Sequence, residues 1–165
     1  MIDFFHYQWV HEPVVSAARF GIIDLEPYAC TTFSMPDSKW GAVVSNQDCT
    51  VVQFIPVDHN IPFVDANGDM MQRCDGMLYD LNHTYVAFIE LKDRMADWVS
   101  EAIAQLESTV RVFVDNHGNV ALGHRFAYAC NVRHPYFSQS TKQAMQRFYQ
   151  QYRFRLLVQR DVFVK

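Results

Sequence analysis

Asp75, Glu90 and Lys92 are the residues of this chain whose types and spacing could do chemistry together. Met71 to Tyr79 and Tyr85 to Leu91 each read as a strand, and Asp80-Leu81-Asn82-His83-Thr84 between them is short enough to make an antiparallel hairpin. The two-residue period puts Glu90 and Lys92 on one face, and counting back through the loop sets Asp75 opposite residue 89 or 90. Two carboxylates and an ammonium then meet at one end of the hairpin, and Gly76 leaves room for a close backbone or ligand approach.

Paired carboxylates suit a hard, oxygen-seeking cation such as Mg²⁺, with Mn²⁺ as a substitute. Such an ion stabilises charge on a phosphoryl oxygen and acidifies a bound water. A lysine beside it could orient or deprotonate that water, or offset charge in the transition state. A glycosidase-style acid/base pair could use the same two carboxylates but gives Lys92 no role. The plain alternative is a same-face ion pair on a solvated strand, worth about 0–1 kcal/mol. Against it, Glu90 follows Val86-Ala87-Phe88-Ile89, which reads as buried on both faces, and a charge there needs a partner or a purpose.

The elements that must position these groups follow the same reading. Pro13 opens a predicted short helix to about Phe20, closed by Gly21, and Ser34 to Ser38 reads as a turn. Cys49 to Ile55 is a β-branched strand ended by Pro56, and Asp65-Ala66-Asn67-Gly68-Asp69 is a loop. The apolar spacing of Val99, Ala102, Ile103, Leu106, Val110 and Phe113 predicts a helix over 96–113, stopped by Asn116-His117-Gly118-Asn119. A strand over 125–132 ends at His134-Pro135, a helix follows from Ser138 to Tyr149 with Ser138 or Ser140 as cap, and the chain closes on a strand or pair of strands over 154–164. Helices between strands imply an α/β fold with a mixed central sheet, an antiparallel hairpin and flanking helices. Residues 1–165 form one expected domain.

Composition sets the outer bounds. Half the residues are hydrophobic and 15% aromatic, which excludes a disordered chain. No run approaches the roughly 18 apolar residues of a membrane span, and the first residues lack a signal-peptide pattern, so a cytoplasmic location without membrane contact is expected. Cys30, Cys49, Cys74 and Cys130 form no Cys-x-x-Cys pair and read as thiols in a reducing compartment, with Cys74 pointing away from the face of Asp75. The net charge is −4, yet residues 125–165 carry eight Lys and Arg against Asp161 alone. Arg133, Arg147, Arg153 and Arg155 are candidate phosphate contacts, and Arg125, Phe126, Tyr128 and Tyr136 interleave charge with rings that either stack on bases or fill a core. The histidines match no metal-ligand spacing, and no phosphate-binding glycine loop is present.

Asp75-Gly76, then Glu90-Leu91-Lys92, then an amphipathic helix and a strand, resembles the PD-(D/E)XK nucleases, the restriction-endonuclease-like superfamily, over about residues 49–132. The resemblance implies a nuclease-like core over about 49–160 with an N-terminal extension. It implies metal binding by Asp75, Glu90 and the Leu91 carbonyl, with Lys92 as the catalytic lysine. It makes Glu12, beside the predicted first helix, the candidate for a further acid. Gln105 resembles the glutamine of the recombination-nuclease branch, although Thr109 stands where that branch has tyrosine, and Cys74 stands where the motif has proline. The implied function is metal-dependent hydrolysis of phosphodiester bonds in DNA, with a homodimer as an expectation of the resemblance alone. The alternative is a nuclease-like scaffold without activity, acting as a binding or assembly module.

Overall fold

The computed structural model describes residues 1–118, 123–133 and 139–165, with backbone alone at 139 and 140. Its elements in chain order are β1 (Arg19–Ile23), β2 (Cys30–Thr32), β3 (Ala42–Ser45), β4 (Val52–Pro56), β5 (Gly76–Asp80), β6 (Tyr85–Lys92), α1 (Val99–His117), β7 (His124–Asn131), α2 (Gln139–Tyr152), β8 (Arg155–Val158) and β9 (Asp161–Phe163), with short 3-10 turns at Tyr7–Trp9 and Asp37–Lys39. The fold is α/β with two sheets.

The central sheet runs β4-β5-β6-β7-β8. Its first three strands are antiparallel neighbours, and β6, β7 and β8 are parallel. Parallel pairs need crossovers, and α1 and α2 supply them. Pro56 is tolerated because β4 is an edge strand. The second sheet, β2-β1-β3-β9, joins the start of the chain to its last strand through a parallel β3–β9 pair. The closing run is thus a pair of strands divided between the two sheets.

The central sheet lies between the helices and the second sheet, and the alternation on its middle strand shows how. Val86 and Phe88 of β6 join Ile103, Leu106, Val110 and Phe113 of α1 in one core cluster. Tyr85, Ala87, Ile89 and Leu91 join Phe20, Ile22, Val44 and Val162 in the other. A strand with both faces covered reads as a continuous apolar run, which is the pattern of residues 85–91.

The predicted helix over 13–20 does not form. Val15 makes a bridge to Val52, and Arg19 to Ile23 becomes the middle of the second sheet, with Gly21 inside the strand rather than capping a helix. A Cβ on Gly21 would sit 2.2 Å from the Trp40 ring, so this glycine serves close packing. Other elements agree within a few residues. β5 starts at Gly76 rather than Met71, which leaves Cys74 outside the pleat: it lies in the helix-side cluster, not on the opposite face, and its amide donates to Thr109 Oγ1 at 2.9 Å. α1 runs past the expected stop because Asn116 and His117 are engaged at its end. Ile2 N donates to Asn116 Oδ1 at 2.8 Å and Phe4 N to His117 Nε2 at 3.1 Å. The loop at 65–69 is closed by Asp65, which accepts from the amides of Asn67 and Asp69, with Gly68 at φ 86°. Asn119, His134, Pro135, Tyr136 and the caps proposed at Ser138 and Ser140 lie outside the described residues or side chains. Among the described residues, no helix is long and apolar enough to cross a membrane.

The hairpin that carries the site is locked at its turn by Asp80. One carboxylate oxygen accepts from the Thr84 and Tyr85 amides, both at 2.7 Å, and the other from Thr84 Oγ1 at 2.6 Å. Asp80 is buried, so Asp80→Ala strands two amides as well as removing charge-assisted bonds. The expected cost is about 2–3 kcal/mol in urea-induced unfolding; a change below about 0.5 kcal/mol, the range of an ordinary surface substitution, would show that the turn is held by its backbone alone.

Candidate active site

Gly76 pairs with Ile89 across β5 and β6, so the antiparallel count sets Asp75 opposite Glu90. Glu90 and Lys92 continue the helix-facing series of Val86 and Phe88 at the C-terminal end of β6, where α1 begins its return. The three residues singled out by spacing are therefore brought together.

Glu90 is 1% exposed. Its Oε1 lies 2.9 Å from Lys92 Nζ, and its Oε2 is buried without a hydrogen-bond partner. Asp75 is half-buried beside it, and its Oδ2 accepts from the Leu91 amide at 2.6 Å. Burial pushes the Asp75 carboxyl up to about 7; the Leu91 amide opposes this, and the charge of Asp24 adds to it. Glu90 is pushed up to about 9, first by burial and then by the Asp75 carboxylate, against the pull of Lys92. Burial pulls Lys92 down, but Glu90 and Glu101 beside it more than offset this and hold the ammonium above the ordinary lysine value. Two neighbouring buried carboxylates repel when both are ionised, and either a proton or a cation relieves that repulsion.

Lys92 Nζ also donates to Glu101 Oε1 at 3.0 Å and to Gln105 Oε1 at 2.7 Å. Gln105 in turn donates to the Arg73 carbonyl at 3.3 Å, two residues before Asp75. Thr109 accepts the Cys74 amide and donates to the Gln105 carbonyl, so α1 is stitched to the approach of Asp75. At the end of β7, opposite Lys92 in register, Asn131 is fully buried. It accepts from the Arg94 and Arg133 amides and donates to the Arg94 carbonyl, fixing both arginine backbones at the rim.

A cleft of about 560 Å³ opens at this end, walled by Asp24, Lys39, Leu91, Lys92, Asp93 and Arg133 among others. Lys92 is the member of the cluster that reaches its wall. Arg133 lies there with its guanidinium on Asp93 at 2.6 Å. Leu91 is buried and packs its side chain over Gly41.

The other candidates are dispersed. Glu12 is not part of the cluster: with no helix at 13–20, its carboxylate accepts from the Thr31 amide at 3.2 Å. Arg147 pairs with Glu107 at 3.0 Å and lines a separate hollow of about 680 Å³ between the start of α1 and α2. Arg155 pairs in register with Phe126 near the start of the parallel strands, opposite the end that holds Lys92, and Arg153, which precedes it, lies over the Tyr149 ring. Phe126 and Tyr128 are core residues, 4% and 1% exposed, and are closed to stacking on bases. Gly76 does not leave space for a ligand, because the Phe54 ring occupies it.

Asp24 and Asp58 are the acids that spacing missed. Both charges act on Asp75, yet they stand in connections following β1 and β4, and no periodicity links them to the hairpin. Glu101 had a signal: it lies one helical turn before Gln105, on the same face. Among the described residues, no group of three or more His, Cys, Asp and Glu side chains is gathered as a metal site. No protein-family model, no curated protein and no solved structure matches this chain.

Proposed function

We infer that this chain is a metal-dependent nuclease with a restriction-endonuclease-like core, hydrolysing phosphodiester bonds in DNA. The observation that carries this reading is the buried Glu90 carboxylate. It stands opposite Asp75 and 2.9 Å from Lys92 Nζ, with its second oxygen unpartnered. A structural ion pair with Lys92 does not by itself satisfy that second oxygen or account for the raised carboxyl beside it. The donor set suits a hard divalent cation. Asp75, Glu90 and the Leu91 carbonyl would hold Mg²⁺ or Mn²⁺, the remaining positions being water. When bound, the ion supplies charge neutralisation at a phosphoryl oxygen and an acidified water.

The residues of the chain do the rest. Glu101 and Gln105 hold the Lys92 ammonium in place beside Glu90, which keeps a positive charge at the edge of the cleft. The Leu91 amide fixes the Asp75 carboxylate. Arg133 and Lys39, on the same cleft wall, supply phosphate attraction that positions a strand without reading its sequence. The order of hairpin, helix and parallel strand agrees with the resemblance.

The test is cleavage of plasmid, single-stranded DNA and RNA with Mg²⁺ or Mn²⁺. Glu90→Ala and Lys92→Ala should each lower the rate by about a hundredfold or more. Cleavage that survives both substitutions would exclude this mechanism. The second reading, an inactive binding scaffold, is favoured by the hydrogen bonds that tie Lys92 to Glu101 and Gln105 of α1, as in a polar cluster that holds the hairpin to its neighbour; it predicts DNA retention in a gel shift with no cleavage under any metal.

A further inference from the structure

An ammonium has three N–H donors. On Lys92 all of them are engaged: Nζ lies 2.9 Å from Glu90 Oε1, 3.0 Å from Glu101 Oε1 and 2.7 Å from Gln105 Oε1. As it stands, Lys92 has no donor left for a phosphate oxygen or an attacking water, although its side chain reaches the cleft wall. One of the three acceptors has to let go before the lysine can act.

They are not equally free to do so. Glu90 is buried at the end of β6, and Gln105 is braced from its other end by the Arg73 carbonyl. Glu101 is the exposed partner, its side chain 41% accessible. It is also held from outside by a guanidinium fork: Arg94 NH1 lies 2.6 Å from Oε2 and NH2 3.3 Å from Oε1. The Arg94 backbone is pinned at both N and O by Asn131, so only its side chain can swing. That side chain is half exposed. Exposed ion pairs are weak, and an arginine fork fits a phosphate as well as a carboxylate.

We propose that Arg94 and Glu101 form a latch on Lys92, opened when a phosphodiester takes the Arg94 guanidinium and Glu101, losing its fork, releases the ammonium into the cleft. Glu101 is then a positioning residue acting through Lys92, and Arg94 is the phosphate contact that senses substrate. The phosphodiester as the opening ligand rests on the nuclease reading; the occupied state of Lys92 does not.

The test separates the two. Acylation of lysine side chains by an amine-reactive ester, followed by mass spectrometry, compares Lys92 with Lys39, an exposed lysine of the same cleft that serves as an internal standard. In the wild type Lys92 should label far more slowly than Lys39. Glu101→Ala should raise Lys92 labelling about two- to fivefold, the equivalent of one exposed ion pair, with Lys39 unchanged. Glu101→Gln, which keeps an acceptor but loses the fork to Arg94, should give a smaller rise. A duplex oligonucleotide with a phosphorothioate backbone should raise Lys92 labelling in the wild type and fail to do so in Arg94→Ala. If Lys92 in Glu101→Ala is as protected as in the wild type, the latch is wrong whatever the nuclease assays give. If Glu101→Ala frees Lys92 but the duplex does not, the phosphate trigger is wrong. Freed labelling with no cleavage by any variant retains the latch and removes the nuclease reading.

Discussion

Glu90→Gln is expected to make the metal-free protein more stable at alkaline pH while abolishing both metal binding and cleavage. Loss of cleavage alone would say little, since many substitutions near a site reduce activity. The gain in stability is the informative part. Glu90 rises from an ordinary 4.5 to about 9 on folding, and Asp75 from 3.8 to about 7. The folded chain therefore holds protons that the unfolded chain has released. Where the native state binds more protons, stability falls as pH rises. The contribution of these groups is fully present below about pH 4 and is lost progressively as pH climbs through about 7 for Asp75 and about 9 for Glu90.

Glutamine resembles the protonated carboxyl, keeps an oxygen for Lys92 and cannot lose the proton. Below about pH 4 the variant and the wild type should melt together, and at about pH 8–9 the variant should be more stable by at least roughly 2 kcal/mol, a rise in Tm of about 4 °C or more. Mg²⁺ or Mn²⁺ should raise the wild-type Tm, more at pH 8 than at pH 6, because a cation competes with the protons for the same oxygens. The variant should show no such rise. A Glu90→Gln protein less stable than the wild type at pH 8–9 would mean that Glu90 is charged in the metal-free state and that its contact with Lys92 is an ordinary buried ion pair.

The parts of the fold that could be read from sequence are those whose cause is local. β6 announces itself as an unbroken apolar run because both of its faces are covered, and α1 through its three- and four-residue spacing. The second sheet gives no such signal. Its strands are three to five residues long, and β1 is made a strand by partners elsewhere in the chain: β3, and Trp40 seated over Gly21. From sequence, Pro13 and Gly21 bracket a plausible helix; tertiary pairing overrides that local preference. The extension of α1 to His117 is of the same kind, since the amides of Ile2 and Phe4 dock on its last turn.

The site divides along the same line. Asp75, Glu90 and Lys92 are legible because one short turn fixes their register, and a register is arithmetic. Gln105 is singled out by the resemblance alone, and α1 carries it to Lys92. Asp24 and Asp58 are not legible: they act on Asp75 from connections outside the hairpin, one of them beside the second sheet, and no period in the sequence encodes that meeting. The arginines show the opposite error. Their abundance near the C-terminus suggests one basic wall, yet in space Arg133 is at the cleft, Arg147 beside α1, and Arg155 toward the far end of the sheet. Abundance along the chain is not proximity in the fold.

Gly76→Ala should be the most damaging small substitution next to the site. Gly76 is not needed for a left-handed backbone; among the described glycines only Gly68 has positive φ. What it provides is a missing side chain. A Cβ there would lie 2.2 Å from Phe54 Cζ and 2.4 Å from Cε2, and Phe54 is 1% exposed in the core between the sheets. The ring has nowhere to go, so either the ring or the start of β5 must move. Overpacking of this kind costs about 1–3 kcal/mol or more, here a fall in Tm of roughly 2–12 °C. Movement of β5 displaces Asp75 from the Leu91 amide, which it meets at 2.6 Å, so metal affinity should fall as well. The clash also predicts its own remedy. Phe54→Leu alone leaves a void and should destabilise, but in the Gly76→Ala background it removes the colliding atoms. The double variant should then be more stable than Gly76→Ala alone, with a coupling energy of at least about 1 kcal/mol. Strictly additive losses would show that the ring yields easily, and that Gly76 matters for some reason other than the aromatic ring seated on it.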